Sequence, residues 1–95
     1  MKEIMHHQNE NSGAFHLQLE GEKIGEITYR KDQDGVVTID HTEVDPSHSG
    51  NGYAKELVAA AANFSKSQGL KVRALCPYAA KTMARHPEWK DLLVE

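Results

Sequence analysis

The sequence predicts one α+β domain in which a mixed β-sheet packs against a long helix. Three observations predict it: alternating segments up to Val44, a helical apolar stripe after Gly52, and a short strand-like segment after Gly69. The 95 residues are enough for one hydrophobic core. We therefore expect a single domain over residues 1–95, in the order strand, strand, strand, helix, strand, helix, helix.

The first residues, 1–13, are polar and end in the run Asn9-Glu10-Asn11-Ser12-Gly13. This composition predicts a mobile leader with at most a short strand near Ile4. His6 and His7 are expected to be solvated rather than metal ligands, because adjacent side chains of an extended chain point apart.

Three antiparallel strands are predicted between residues 14 and 44. Residues 14–20 alternate apolar and polar side chains, as a half-buried strand does. Residues 23–30 follow a turn, although Ile24 and Ile27 do not fall on one face of a regular strand. Asp32-Gln33-Asp34-Gly35 is typical of a hairpin turn, so the strand 36–44 should return beside its neighbour.

A helix of about four turns is predicted after Gly52, from apolar residues at helical spacing. Its stripe consists of Ala54, Leu57, Val58, Ala61 and Phe64. Gly69 is a helix stop, and residues 70–76 should then form a strand parallel to the preceding one, because a helix separates the two. Pro77 ends that strand, and helices are predicted over residues 78–85 and 87–93.

Composition excludes several classes of function. The chain is 39% hydrophobic and 26% charged with a net charge of −3, so it has no basic surface for nucleic acid. No stretch approaches the roughly 20 apolar residues that span a bilayer, and the first residues lack a signal-peptide pattern, so we expect no membrane partner and a cytoplasmic location. The only cysteine, Cys76, excludes an internal disulfide.

The run His48-Ser49-Gly50-Asn51-Gly52-Tyr53-Ala54-Lys55 is the most informative part of the chain. Its two glycines allow a tight turn whose N–H groups can converge on a ligand, and the helix that follows adds its positive end. Such a loop between a strand and a helix is typical of a phosphate-binding site. A helix entered through a glycine turn that binds nothing is the alternative.

The strand, loop and helix resemble the acetyl-CoA-binding core of the GNAT acetyltransferase superfamily, whose signature is Arg or Gln, two residues, Gly, one residue, then Gly or Ala. Ser49, Gly52 and Ala54 occupy the matching positions. Cys76-Pro77-Tyr78 and Arg85-His86-Pro87-Glu88-Trp89 look like those of the small single-domain members. With Ser49 in place of the long side chain, phosphate binding would depend on backbone amides, with Asn51 and Lys55 as helpers.

The resemblance implies a GNAT-like mixed sheet, truncated relative to typical members, with acetyl-CoA (coenzyme A) as acyl donor and no metal. In such proteins the strands before and after the signature helix splay apart, and the pantetheine arm lies between them. The implied coenzyme contacts are Val44, Ser49, Gly50, Asn51, Gly52, Tyr53, Ala54, Lys55 and Cys76.

Four residues are candidates for chemistry. His41 and Glu43 share the face of Val37 and Ile39 on a regular strand, so either could be a general base where core gives way to cleft. A hydrogen-bonded histidine and a solvated glutamate are the alternative interpretation of the pair.

Cys76 matches the position nearest the thioester, where many GNAT proteins have an asparagine, and Met83 matches their tyrosine acid. A thiol there could accept the acetyl group, with His41 lowering its pKa if the two meet between the splayed strands, and with Tyr78 replacing the missing proton donor. The alternative for Cys76 is a buried apolar residue.

The function expected from the resemblance is binding of acetyl-CoA followed by acetyl transfer to an amine acceptor, which is either a small amine or a protein. The alternatives are a non-catalytic acyl-CoA-binding module that acts with a protein partner, and a plain structural domain. The acceptor and the oligomeric state cannot be inferred from the sequence.

Overall fold

The computed structural model describes residues 1–94, which form one five-stranded mixed sheet with its helices on one face. The strands are β1 (Lys2–Gln8), β2 (Ser12–Leu19), β3 (Glu22–Lys31), β4 (Val36–Val44) and β5 (Lys71–Ala74). The α-helices are α1 (Tyr53–Ser67), α2 (Pro77–Ala84) and α3 (Pro87–Lys90), and a 3-10 turn covers Pro46–His48.

The sheet has the strand order β1-β2-β3-β4-β5. The first four strands are antiparallel neighbours, and β5 runs parallel to β4 after the crossover through α1. The α+β class, the meander, the long helix and the parallel strand predicted from the sequence are therefore all confirmed.

The prediction of a mobile leader over residues 1–13 is wrong. Lys2–Gln8 forms strand β1, which pairs with β2 without a register shift, from Lys2 opposite Leu19 to Gln8 opposite Gly13. His6 is half-buried rather than solvated, and its ring stacks on Phe15 at 4.0 Å between centroids. Contacts with a neighbouring strand and with aromatic side chains thus order a segment whose own composition is polar.

Two β-bulges change which side chains face the core. On β3, Gly25 lies opposite Leu17 while Lys23 lies opposite Gln18, so Ile24 is the extra residue. This explains how Ile24 and Ile27 are both buried although their spacing is odd. On β4, Ile39 lies opposite Tyr29 and His41 opposite Thr28, which makes Asp40 the extra residue.

Helix α1 packs across β2, β3 and β4 and provides the centre of the core. Its buried face consists of Leu57, Val58, Ala61, Ala62 and Ser65. Small residues bring the helix close to the sheet, where Leu57 and Val58 are fully buried against apolar strand residues such as Ile27 and Val37. The helix ends at Ser67, and Gly69 just beyond it has a φ of +70°, which suits glycine.

The last residues close the other side of the sheet. The N–H of Val72 donates to the carbonyl of Leu92 at 2.8 Å, and the N–H of Val94 donates to the carbonyl of Val72 at 2.8 Å, so residues 92–94 cover the outer edge of β5. Helix α3 is accordingly shorter than the predicted 87–93, and β5 shorter than the predicted 70–76. Within residues 1–94, no helix is long and apolar enough to cross a membrane.

Candidate functional site

A gap opens between β4 and β5. Their parallel pairing ends with Ile39 opposite Ala74, followed by a hydrogen bond of 3.0 Å from the N–H of Leu75 to the carbonyl of Ile39. Strand β4 then continues to Val44, whereas the segment that follows β5 enters α2 at Pro77. Residues 40–44 therefore have no β-partner on the β5 side, and the bulge at Asp40 lies at the apex of the gap.

The loop that follows β4 is held by its own polar groups. The Asp45 carboxylate accepts hydrogen bonds from the Ser47 N–H at 3.0 Å and the Ser47 hydroxyl at 2.9 Å. The hydrogen bonds from Ser47 lower the pKa of Asp45. Further along, the Asn51 amide donates to the carbonyl of His48 at 3.0 Å. These contacts hold the first half of the loop through its own side chains and do not involve the backbone N–H groups of residues 50–52.

Both glycines of the loop adopt left-handed backbone conformations. Gly50 has a φ of +83° and Gly52 a φ of +79°, values that other residues rarely adopt. A Cβ at either position would meet no atom within 4 Å, so space does not require glycine there. The backbone geometry does, and it also leaves the loop surface open for a ligand to approach.

Gly52 is the N-cap of α1 and provides no side-chain cap. The N–H of Glu56 donates to its carbonyl at 3.1 Å, which begins the helical ladder. The N–H groups of the first turn, at Tyr53, Ala54 and Lys55, lie before that ladder, as at every helix N-terminus. Aligned N–H groups without a side-chain cap at the positive end of a 15-residue helix favour an anionic ligand.

The only carboxylate of that turn, Glu56, is neutralised by a neighbouring strand. Lys2 Nζ lies 2.8 Å from a Glu56 carboxylate oxygen and 5.7 Å from the centre of the Tyr53 ring. The ordered strand β1 therefore contributes a cation beside the N-terminus of α1, which the sequence analysis did not anticipate.

The loop, the start of α1 and the start of α2 line one cavity of about 330 Å³. Its lining consists of Val44, His48, Ser49, Gly50, Gly52, Tyr53, Ala54 and Tyr78. The structure thus brings together six of the nine predicted coenzyme contacts, namely Val44, Ser49, Gly50, Gly52, Tyr53 and Ala54. It adds His48, the first residue of the same run, and Tyr78, whose side chain is well exposed. Asn51, Lys55 and Cys76 do not line the cavity.

Cys76 is the N-cap of α2 and is partly buried against the core. Burial raises the pKa of its thiol, but the backbone N–H of Ala79 and the side chain of Thr42 more than offset this, so the pKa lies below its ordinary value. The N–H of Tyr78 contributes in the same direction. A helix N-terminus is a known means of favouring a thiolate.

The prediction that His41 and Glu43 share the face of Val37 and Ile39 is wrong. The bulge at Asp40 reverses the alternation, so both side chains lie on the sheet face opposite α1, where they are 64% and 69% exposed. His41 Nε2 lies 3.7 Å from a Glu43 carboxylate oxygen. The influences on the Cys76 pKa come from α2 and Thr42 and not from His41, so the expected lowering by His41 is also wrong.

Thr42 lies on the core-facing side of β4, which the sequence alternation had assigned to His41 and Glu43. Its Oγ1 is buried and has no well-formed hydrogen bond among residues 1–94, and it lies close enough to Cys76 to lower the thiol pKa. Sequence reasoning missed Thr42 because one extra residue in a strand changes the facing of all later residues. The charged residue Asp40 within an otherwise apolar part of the strand is the one sequence feature that could have indicated the bulge.

Met83, at the position of the family's tyrosine acid, is fully buried between the helices and the sheet. A buried thioether cannot donate a proton. Tyr78 and Tyr53 are the tyrosines that line the cavity.

Comparisons with known proteins agree with this geometry. A family model described as GCN5-related N-acetyl-transferase matches residues 14–92. The solution structure of a GCN5-like protein from Staphylococcus aureus, assigned as an N-acetyltransferase, is 30% identical with a TM-score of 0.72; the match covers 97% of this chain and 87% of that one. No curated protein matches the chain.

More distant structures share the fold. A protein from Bacillus anthracis strain Ames, assigned as a streptothricin acetyltransferase and solved with acetyl coenzyme A, is 23% identical with a TM-score of 0.61; the match covers 68% of this chain but only 38% of that one. A ribosomal-protein-alanine N-acetyltransferase from Brucella melitensis is 19% identical with a TM-score of 0.60, covering 78% of this chain and 59% of that one. Because the family model spans most of the chain, this protein belongs to the GCN5-related N-acetyltransferase family.

Proposed function

We propose that the protein binds acetyl-CoA and transfers its acetyl group to an amine. One observation carries the proposal: the left-handed glycine loop, the N-terminus of α1 and the end of β4 line a single cavity beside the gap between β4 and β5. Phosphate groups and an extended polar chain are the two ligand parts that such a cavity and such a gap would accept.

The pyrophosphate would accept hydrogen bonds from the backbone N–H groups of residues 51–55. Ser49 offers no long cation, so the favourable electrostatics come from the helix end, supported by Lys2 where it neutralises Glu56. The pantetheine arm would extend along residues 40–44, whose edge on the β5 side has no strand partner. That path leads toward Cys76.

For the transfer step we favour a covalent route through Cys76. The thiolate attacks the acetyl carbonyl, a Cys76 S–acetyl bond forms, and the thiolate of coenzyme A leaves and takes up a proton. A neutral amine then attacks the S–acetyl group, loses its proton, and releases the Cys76 thiolate. Tyr78, which lines the cavity, would be the proton donor to the leaving thiolate.

Direct transfer is the alternative route. His41 and Glu43 lie together on the exposed sheet face, 3.7 Å apart, where a solvated base could deprotonate an incoming amine directly or through water. The lowered pKa of Cys76 favours the covalent route, because it increases the fraction of thiolate, which is the reactive form.

The relatives support acetyl transfer in general terms. The Staphylococcus aureus protein carries an N-acetyltransferase assignment at 30% identity, and the Bacillus anthracis protein was solved with acetyl coenzyme A. This chain spans little more than a third of the latter, so the acceptor of that larger protein is no guide here. A non-catalytic acyl-CoA-binding module that acts with a protein partner stays the second candidate, since no helix of residues 1–94 covers the exposed sheet face.

A titration with acetyl-CoA, followed by residue-resolved amide shifts, tests ligand and location together. We expect the largest shifts at residues 49–55 and along residues 42–44, with small shifts at residues 32–35, in the hairpin at the opposite end of the sheet. Shifts spread evenly, or centred away from the loop, would contradict the proposal. Binding without turnover of any amine would favour the non-catalytic module.

A further inference from the structure

Strand β1 presents a free edge. It is the outermost strand of the sheet and, within residues 1–94, pairs only with β2, whereas residues 92–94 cover the opposite edge at β5. The carbonyl of Met1 accepts from Glu20, and the N–H of Asn9 donates to Ser12, so the odd-numbered residues bond to β2. By the alternation of an antiparallel pair, the N–H and carbonyl groups of Lys2, Ile4, His6 and Gln8 point away from the sheet.

Several features that normally protect an exposed edge are missing from this strand. Residues 2–8 contain no proline, and their register with β2 is continuous, without a bulge. The central side chains are apolar, since Ile4 and Met5 are each 38% exposed. Lys2, at the start of the strand, forms an ion pair with Glu56 of α1, so its charge is directed toward the helix and not along the strand edge.

We propose that a second copy of this chain pairs with β1 to form a symmetric dimer with one continuous sheet. Antiparallel self-pairing joins residues of equal parity, and centring it on Met5 is the register that uses all of residues 2–8. It sets Lys2 opposite Gln8 of the second copy and Ile4 opposite His6, as hydrogen-bonded pairs. Glu3 then lies opposite His7, and Met5 opposite Met5.

The side chains complement one another in this register. Glu3 and His7 lie on the exposed sheet face, where each carboxylate meets an imidazole of the second copy, twice by symmetry. On the helix face, Ile4 meets the His6 ring, which packs on Phe15 and Phe64. Helix α1 packs mainly on β2, β3 and β4, and it meets β1 where Lys2 contacts Glu56 and where His6 contacts Phe64.

A single engineered cysteine tests the register. In a Cys76→Ser background, Met5→Cys places two thiols opposite each other in a non-hydrogen-bonded pair, where Cα atoms lie about 4.5 Å apart, within disulfide range. Glu3→Cys is the matched control, because the two copies of residue 3 lie four positions apart, roughly 13 Å along the strands. We expect mild oxidation to give covalent dimer with Met5→Cys and little with Glu3→Cys. Equal cross-linking of both would overturn the register.

Sedimentation or light scattering of the unmodified protein tests the dimer itself. We expect twice the chain mass at high concentration, and monomer for Ile4→Pro, which removes an outward N–H that the monomer does not use. Circular dichroism checks that this variant folds. Glu3→Lys, which removes the carboxylate that faces the His7 ring, is the second disruptive variant, and adding His7→Glu should restore the dimer. A monomeric native protein at all concentrations, or an undiminished dimer with folded Ile4→Pro, would overturn the proposal.

Discussion

The hydroxyl of Tyr29 lies 2.7 Å from Nε2 of His6, and this hydrogen bond fastens β1 to the core. Tyr29 is only 2% exposed, so its hydroxyl depends on His6 for a partner. The His6 ring also stacks on Phe15 and meets Phe64 edge-on at 4.6 Å between centroids. One side chain of the first strand thus links the sheet edge to α1.

Removing either partner should destabilise the fold by different amounts. Tyr29→Phe should cost about 0.5–1.5 kcal/mol, the net value of a hydrogen bond, because the ring packing is kept. His6→Ala should cost more, about 1–3 kcal/mol, because it leaves a buried hydroxyl without a partner and removes a stacked ring. Urea denaturation of the two variants measures both, and a His6→Ala protein as stable as the native one would contradict this role.

The same contact makes stability depend on pH. Burial, and then the neighbouring His7, lower the pKa of His6 below 6.5, so the unfolded chain takes up a proton more readily than the folded one. The contribution to stability is therefore complete above pH 6.5 and is lost as the pH falls through the lowered pKa of the folded state. His16, whose pKa burial also lowers, acts in the same sense.

Denaturation midpoints between pH 8 and pH 5 test this linkage. We expect His6→Gln to reduce the loss of stability on acidification, since glutamine bonds to the Tyr29 hydroxyl but does not titrate in this range. His16→Gln is the matched control, which measures the part of the slope that comes from the second histidine with a lowered pKa. An unchanged slope in both variants would mean that other groups control the acid limb.

How far the sequence predicted the fold differs between its two halves. From Gly52 onward, the helical spacing and the glycine and proline signals identified α1, β5 and α2 to within a few residues. Strand β1 was missed because polar residues such as Lys2, His6 and His7 form it, and only pairing with β2 and packing on Phe15 make it a strand. Local composition carries no information on such contacts.

The candidate site was predicted well where it consists of backbone and less well where it consists of side chains. Glycines before a helix are a local signal, and the cavity follows from them. The facing of His41, Thr42 and Glu43 depends on the single extra residue at Asp40, which arises from pairing with β3. A period-2 pattern does not reveal such a bulge. The sequence analysis therefore assigned each of these three side chains to the wrong face of the sheet.

Replacing the loop glycines should remove acetyl-CoA binding. Gly52→Val and Gly50→Val force a β-branched residue into a left-handed conformation, so the loop should change shape and its N–H groups should turn away from the ligand. Gly21→Val is the matched control, with a φ of +83° and equally open surroundings in the β2–β3 turn. Calorimetry should show binding lost in the loop variants and kept in the control. Normal binding by a folded Gly52→Val protein would contradict the assignment.

Thr42→Val should raise the pKa of Cys76 toward its ordinary value. The hydroxyl is one of the groups that lower that pKa, and valine keeps the shape of the side chain without it. The rate of alkylation by iodoacetamide as a function of pH reports the thiolate fraction. We expect the curve to move to higher pH for Thr42→Val and to stay in place for Thr28→Val on the neighbouring strand. An alkylation curve that stays in place for both variants would mean that Thr42 does not lower the pKa of Cys76.

Acceptor selectivity should be low and turnover of small free amines slow. Selectivity comes from enclosed, desolvated contacts, and the sheet face that carries His41 and Glu43 is open to solvent. A panel of monoamines, polyamines and lysine peptides, assayed by thiol release, should give kcat/KM values within a narrow range. One amine used with the efficiency of a dedicated enzyme would contradict the expectation.

The last prediction sets Cys76 against His41. If the acetyl group passes through Cys76, incubation with acetyl-CoA should add one acetyl mass at Cys76, an amine should remove it, and Cys76→Ala should lose turnover while still binding coenzyme A. His41→Ala should leave the alkylation curve of Cys76 unmoved, because the groups that lower the thiol pKa lie on α2 and at Thr42.

Direct transfer gives the opposite pattern. Cys76→Ala would then keep most of its activity, and His41→Ala would lower the rate chiefly below the pH at which the amine loses its proton unaided. Glu43→Gln tests whether Glu43 is itself the base or only supports His41, whose Nε2 lies 3.7 Å from its carboxylate. If Glu43 only supports the imidazole, this variant should shift the pH profile of the rate. No acetyl adduct in the mass spectrum, together with an active Cys76→Ala protein, would return Cys76 to the core and leave His41 and Glu43 as the catalytic candidates.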